Sequence, residues 1–224
     1  DIQTSHKIHL MTNYSFQNAA RPNKIDWHEM YQKVILLPDI IEKIETFKKQ
    51  YFKPKMIGVH YRGTDKYAAY GDGEDGAGPH VLYNRMIQEV RTYNNTWGIF
   101  VASDEQPFVD AMKKSFPDRV VMYESSRASI STSGKSMGDT IDCTIDSQEE
   151  TCKNYFELVK NHSIHRGNNS IPPYKKGLDA IMDIYLLSEC NIMFRNAAGG
   201  NFSSQPARIN PNLQLFSYTN GRFV

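Results

Sequence analysis

Short apolar runs alternate along this chain with longer segments whose apolar residues recur every three or four positions. No other feature constrains the fold as strongly. "MIGVHY" (56–61), "WGIFVA" (97–102), "RVVMYE" (119–124), "NIMFR" (191–195) and "LQLFSY" (213–218) have the length and near-continuous apolarity of strands buried on both faces. Between them, Leu82, Met86, Val90 and Tyr93 mark one helix face, Phe108, Ala111, Met112 and Phe116 a second, and Leu178, Ile181, Met182, Tyr185 and Leu186 a third. Strands that need cover on both sides, separated by helices that supply it, predict a Rossmann-like, doubly wound α/β domain with a mainly parallel sheet.

The chain has 224 residues, enough for one sizeable domain, with 40% hydrophobic and 23% charged residues, as expected of a globular protein. A net charge of +1 argues against a broad electrostatic surface for nucleic acid, so no nucleic-acid partner is expected. No apolar run reaches the roughly 18 residues of a membrane span, and no signal-peptide core is present. Cys143, Cys152 and Cys190 are too few for a disulfide scaffold and lack zinc-ligand spacing; a Cys143–Cys152 loop closure stays open. Sequons at Asn13, Asn94, Asn161, Asn168 and Asn201 permit a Golgi or ER lumen, while the missing signal segment permits a cytoplasmic address, so the compartment is open. Nothing in the sequence fixes an oligomeric state.

Residues 1–54 read as an N-terminal acceptor-side remnant or packing segment, and 55–224 as the Rossmann-like domain. In the first part, Asp39 and Glu42 occupy the N-cap and third positions of a capping arrangement for a helix carrying Ile40, Ile41, Ile44 and Phe47, which ends near Tyr51. The stretch 125–176 is polar and weakly periodic, the composition of a functional insertion. It and residues 1–38 are expected to read an acceptor, with Tyr155, Phe156 and Tyr174 able to stack on sugar rings or pack in a core.

Ligands of open parallel sheets bind outside the carboxyl ends of strands. There this chain places His60 and Arg62, two residues apart and so on one strand face, followed by Asp65 and Lys66. Arg62 offers a fork of donors matched to phosphate oxygens, and Lys66 a compact cation. A second strand end carries "ASDE" (102–105), where Ser103 or Asp104 also suits a helix cap. A third polar cluster, "GGNFSSQPAR" (199–208), offers Ser203, Ser204 and Gln205, with a helix start near Ser204 suited to an anion. Asp183, taken alone, reads as a solvated helix carboxylate. No Walker loop or GxGxxG run occurs, which weakens nucleoside-triphosphate and ordinary dinucleotide readings.

"GVHYRGTDK", "FVASDE", "IMDIYLLSECNIMF" and "NFSSQPAR", in this order over residues 55–218, resemble the motifs of the α-1,6-fucosyltransferase and nodulation-fucosyltransferase group. The resemblance implies a GT-B-like architecture whose Rossmann-like half, here preceded by a short or truncated N-terminal part, holds GDP-fucose. It implies a metal-independent, inverting glycosyltransferase that acts in glycan biosynthesis and needs no cofactor beyond its nucleotide-sugar donor. By the same resemblance, His60 approaches the nucleoside, Arg62 the β-phosphate, and Lys66 organises the reaction centre. Asp104 lies near the nucleotide, Asp183 recognises guanine, and Ser203, Ser204 and Gln205 embrace the diphosphate. Two positions depart from the pattern: Gly63 replaces a second arginine, and Tyr70 stands where the family has a glutamate base. Asp72, Glu74 and Asp75 are the nearest carboxylates, and Asp72 or Glu74 is expected to be the base. Both departures fall near the sugar, so UDP-xylose or another GDP-sugar is the alternative donor. A noncatalytic nucleotide- or glycan-binding module is an alternative of another class, and a phosphoester hydrolase using His60 is a third.

Overall fold

In the computed structural model of the protein, residues 27–62, 79–127, 171–196, 201–219 and 222–224 are described. Met56–Tyr61 forms strand β1, and all six of its residues are buried. It lies at the centre because its residues are apolar on both faces. Gly98–Ser103 (β2), equally buried, pairs with it in parallel on one side, and Ile192–Arg195 (β4) pairs in parallel on the other. Val120–Val121 (β3) flanks β2, Gln214–Thr219 (β5) flanks β4, and Arg222–Phe223 (β6) closes the edge antiparallel to β5. The strand order is β3-β2-β1-β4-β5-β6, so the direction of winding reverses between β1 and β4. That reversal opens a crevice at the carboxyl ends of the two central strands.

Helices cover both faces, as the alternation predicts. On one face lie Pro79–Arg91 (α3) and Gln106–Ser115 (α4), after the short Trp27–Gln32 (α1) and Pro38–Tyr51 (α2) in chain order. Met86, Val90, Phe108, Val109 and Met112 of α3 and α4 pack there on Ile57, Val59, Tyr61, Ile99 and Val101. Ile40 and Ile44 of α2 pack on the other face with Met182, Leu186 and Leu187 of Pro173–Ser188 (α5), against Met56, Phe100, Ala102 and Met193. Helix α5 approaches β1 closely because Gly58 has no side chain: a Cβ there would stand 3.1 Å from Leu187 Cδ2 and 3.3 Å from Cys190 Sγ.

Two local expectations change. Helix α2 starts two residues earlier than its carboxylates suggest, with Leu37 in the N-cap position and Pro38 opening the first turn; no side chain caps it, and Asp39 is a first-turn residue. Proline's fixed φ and missing N–H make it the better first residue, which displaces Asp39 from the cap. β3 pairs over only two of the six residues in "RVVMYE", since the chain then turns across the end of the sheet. Beyond β4, Phe202–Ser204 forms a single 3-10 turn leading into Gln205–Ile209 (α6), which has no side-chain cap.

Candidate functional site

The pleat and register set one row of side chains across the sheet near its carboxyl edge. His60 pairs with Ala102 of β2 and Arg195 of β4, and Arg195 pairs with Ser217 of β5, so these four residues share one face. It is the face covered by α5, whereas Tyr61 turns to the opposite side and stacks on Phe108 with ring centroids 4.6 Å apart. Arg195 donates from Nε to Ser217 Oγ at 2.8 Å and from Nη1 to Ser203 Oγ at 3.2 Å. The tether to Ser203 fixes the 202–204 turn over β1, where the Phe202 ring stacks on His60 at 5.1 Å. The strand-end His-x-Arg motif and the serine-rich turn, 140 positions apart, are therefore neighbours.

Arg62 is held by its main chain. Its N–H donates to Asn196 Oδ1 at 3.2 Å, and its carbonyl accepts from Asn196 Nδ2 at 2.8 Å, so a buried asparagine side chain extends the β1–β4 pairing past the end of both strands. His60 is buried, and its Nδ1 has no partner. Burial, reinforced by the nearby Arg62 and Arg195, lowers its pKa to about 3, so the imidazole is neutral at ordinary pH.

Across the crevice, α5 presents Lys176, Asp179, Ala180 and Asp183 at helical spacing. Asp183 is buried, contrary to the solvated carboxylate its sequence setting suggests. Its Oδ2 accepts from Ser125 Oγ at 3.0 Å, while Oδ1 is buried without a partner. Desolvation raises its pKa to about 7, opposed by the Arg127 charge and the Ser125 hydrogen bond. Asp179 Oδ2 accepts from both N–H and Oγ of Ser126, each at 3.0 Å, and its Oδ1 pairs with Lys175. Arg127 donates to the carbonyls of Ser125 at 2.9 Å and Tyr123 at 2.6 Å. The chain leaving β3 is thus latched onto α5 by two carboxylates one helical turn apart.

These pieces line a pocket that is partly open to solvent. His60, Arg62, Ala102, Ser103 and Asp104 line it from the sheet, and Ser125, Ser126, the α5 residues and Phe202 complete it. Ser103 Oγ accepts from the Glu105 N–H at 3.1 Å, which shapes the turn after β2 and leaves Asp104 facing the pocket.

Of the residues singled out from the sequence, His60, Arg62, Asp104 and Asp183 meet here. Ser203 lies just beneath, fully buried and bound to Arg195. Ser204 turns its hydroxyl to the Asn201 carbonyl at 2.8 Å, and Gln205 has a buried Oε1 without a partner; from this segment only Phe202 reaches the pocket wall. The five-residue α6 makes the expected helix-terminus anion site too short to argue for. Lys66, Asp72, Glu74 and Asp75 lie outside the described residues, as do Tyr70, Cys143, Cys152, Tyr155 and Phe156. Tyr174 is largely exposed at the start of α5. Sequence reasoning missed Asp179, Ser125, Ser126, Arg127, Lys176 and Arg195. The four-residue step from Asp179 to Asp183 was the readable signal; the serines and Arg127 were absorbed into a polar insertion.

Among the described residues, no three His, Cys, Asp or Glu side chains are grouped to hold a metal ion, and no helix is long and apolar enough to cross a membrane. No protein-family model matches the sequence, and no curated protein matches it. The chain is similar to several solved structures. NodZ α-1,6-fucosyltransferase co-crystallised with GDP is 16% identical, with 87% of this chain and 49% of that one covered at a TM-score of 0.49. Fucosyltransferase NodZ from Bradyrhizobium is 15% identical over 87% and 50% of the two chains, again with a TM-score of 0.49. POFUT1 in complex with GDP-fucose is 9% identical over 84% and 48%, with a TM-score of 0.47. The chain spans about half the length of the structures it matches.

Proposed function

We propose that the pocket holds a nucleoside-diphosphate sugar, with GDP-fucose first among candidates, and that the protein transfers the sugar to a glycan hydroxyl by an inverting, metal-independent route. One observation carries the reading: the strand-end cation Arg62, the neutral His60, Asp104 and the buried Asp183 face one crevice at the topological switch point of a parallel sheet. The ordered motif resemblance supplies the donor class.

Asp183 suits the edge of a guanine. Its unpartnered Oδ1 lacks a hydrogen-bond donor, and a base edge presenting N–H groups would satisfy it while favouring the ionised carboxylate. Arg62 suits the diphosphate, since its backbone is fixed by Asn196 and a guanidinium can match phosphate oxygens in a bidentate way. In the reaction, the acceptor oxygen attacks the anomeric carbon as its proton passes to a carboxylate, Asp72 or Glu74. The bond from that carbon to the diphosphate oxygen breaks, and the electron pair leaves with the nucleoside diphosphate. Arg62 and Lys66 would stabilise the charge developing on that leaving group. The polar insertion 125–176 and residues 1–38 would read the acceptor.

The test is nucleotide release from GDP-fucose, other GDP-sugars and UDP-xylose in the presence of glycan acceptors. Release from GDP-fucose that Asp183→Asn abolishes supports the reading, and release from UDP-xylose alone replaces the donor. Tight GDP binding without turnover on any acceptor makes the protein a binding module. Folded protein that binds no nucleotide overturns the proposal.

A further inference from the structure

Helix α5 carries two adjacent lysines with different fates. Lys175 Nζ pairs with Asp179 and reaches the Glu124 carbonyl at 3.3 Å, so its charge is used within the protein. Lys176, half-buried on the pocket wall, has no hydrogen bond or ion pair to its side chain among the described residues. The carboxylate nearest along the helix, Asp179, is already engaged by Lys175 and by Ser126. The other carboxylate of this face, Asp183, lies seven residues on, about 10 Å down the helix axis at 1.5 Å per residue, and is approached by Ser125 and Arg127 instead. Lys176 therefore contributes to the pocket a cation that is not ion-paired with any described residue. It stands in the first turn of a 16-residue helix, where the backbone dipole adds positive potential. Asp183 offers an unfilled hydrogen-bond acceptor deeper along the same helix face.

We infer that Lys176 is an anion-contacting residue of this pocket: the bound ligand places a hydrogen-bond-donating edge at Asp183 and a phosphate group within reach of Lys176, opposite Arg62. This rests on the nucleotide reading of the site and deepens it, because it makes the diphosphate the part of the ligand clamped from both walls, by Arg62 from the sheet and Lys176 from the helix. A solvated lysine at a pocket rim would have the same exposure but no effect on affinity.

The experiment is calorimetric titration of the wild type, Lys176→Ala and Lys176→Arg with GDP and with guanosine, at low and moderate salt. Lys176→Ala should weaken GDP about tenfold, the loss of one charge-assisted contact, and flatten the salt dependence, while guanosine affinity stays as in the wild type. Lys176→Arg should recover most of the loss. Because Lys176 is outside the core, thermal unfolding of all three should coincide, which separates a binding loss from misfolding. Equal GDP affinity for the wild type and Lys176→Ala overturns the inference and leaves the nucleotide reading standing. A parallel loss for guanosine also overturns it, since Lys176 would then support the pocket rather than meet the phosphate. A wild type that binds neither ligand removes the nucleotide reading itself.

Discussion

The two faces of the sheet make the most instructive comparison in the molecule. Under α3 and α4 the packed cluster is apolar, from Ile57 and Val59 to Phe108 and Met112, with Ser103 a buried polar residue at the end of β2. Under α2 and α5 the core is equally apolar at the amino ends of the strands, but at the carboxyl ends it gives way to His60, Asp179, Asp183, Asn196 and Ser203, all buried. Burying such groups is unfavourable unless each finds a partner, and here His60 Nδ1 and Asp183 Oδ1 do not. One face is built to hold the fold, and one end of the other is built to meet something that supplies the missing partners.

The largest effect should come from the apolar cluster under α3 and α4. Phe108 is fully buried against Tyr61, and Phe108→Ala should cost about 3–5 kcal/mol in a urea melt. Phe202→Ala, which removes a half-buried ring from the pocket face, should cost less than half as much and act mainly on GDP affinity. Equal destabilisation by the two would erase the distinction between the faces.

Next in size is Asn196→Ala. It removes both hydrogen bonds that hold the Arg62 backbone and should destabilise by about 2 kcal/mol, with an accompanying loss of nucleotide binding. Unchanged binding would show that Arg62 does not need this grip. Gly58→Ala should cost about 1–2 kcal/mol by pushing on Leu187 and Cys190, and because α5 carries Asp179 and Asp183, binding should weaken with it. Loss of stability with intact affinity would mean that the site tolerates movement of α5.

The smallest effect is expected in the wild-type pH dependence, because two buried groups oppose each other. His60 has its pKa lowered to about 3 from 6.5, so between those values the unfolded chain holds more protons and stability rises with pH. Asp183 has its pKa raised to about 7 from 3.8, so across that window the folded chain holds more protons and stability falls as pH rises. The two slopes overlap from about pH 4 to 6.5 and largely cancel. His60→Gln should expose the falling slope and Asp183→Asn the rising one, both read from chemical melts at stepped pH. Parallel pH curves for the two variants would disprove the opposition.

The architecture was legible because buried parallel strands and amphipathic helices carry different periods; β1, β2 and α4 fall within two residues of where the pattern puts them. Element ends were less legible. Pro38 displaced Asp39 from the cap, and β3 shortened where the chain leaves the sheet to reach Asp179 and Asp183. The strand-end half of the site could be read, since charge following an apolar strand marks a sheet's carboxyl edge. The helix half could not, because a carboxylate on an amphipathic helix looks the same in sequence whether it faces solvent or a serine loop 58 positions away. Arg195 was hidden for a related reason: its importance comes from lying beside His60 in register, a relation between strands 135 residues apart.

The Asn196 clasp also bears on how this site can change. Since it grips only main-chain atoms, any amino acid except proline can occupy position 62 without disturbing the anchor. The tip that greets the ligand is thereby separated from the joint that aims it, and selection, or a protein engineer, can exchange the first while leaving the second intact.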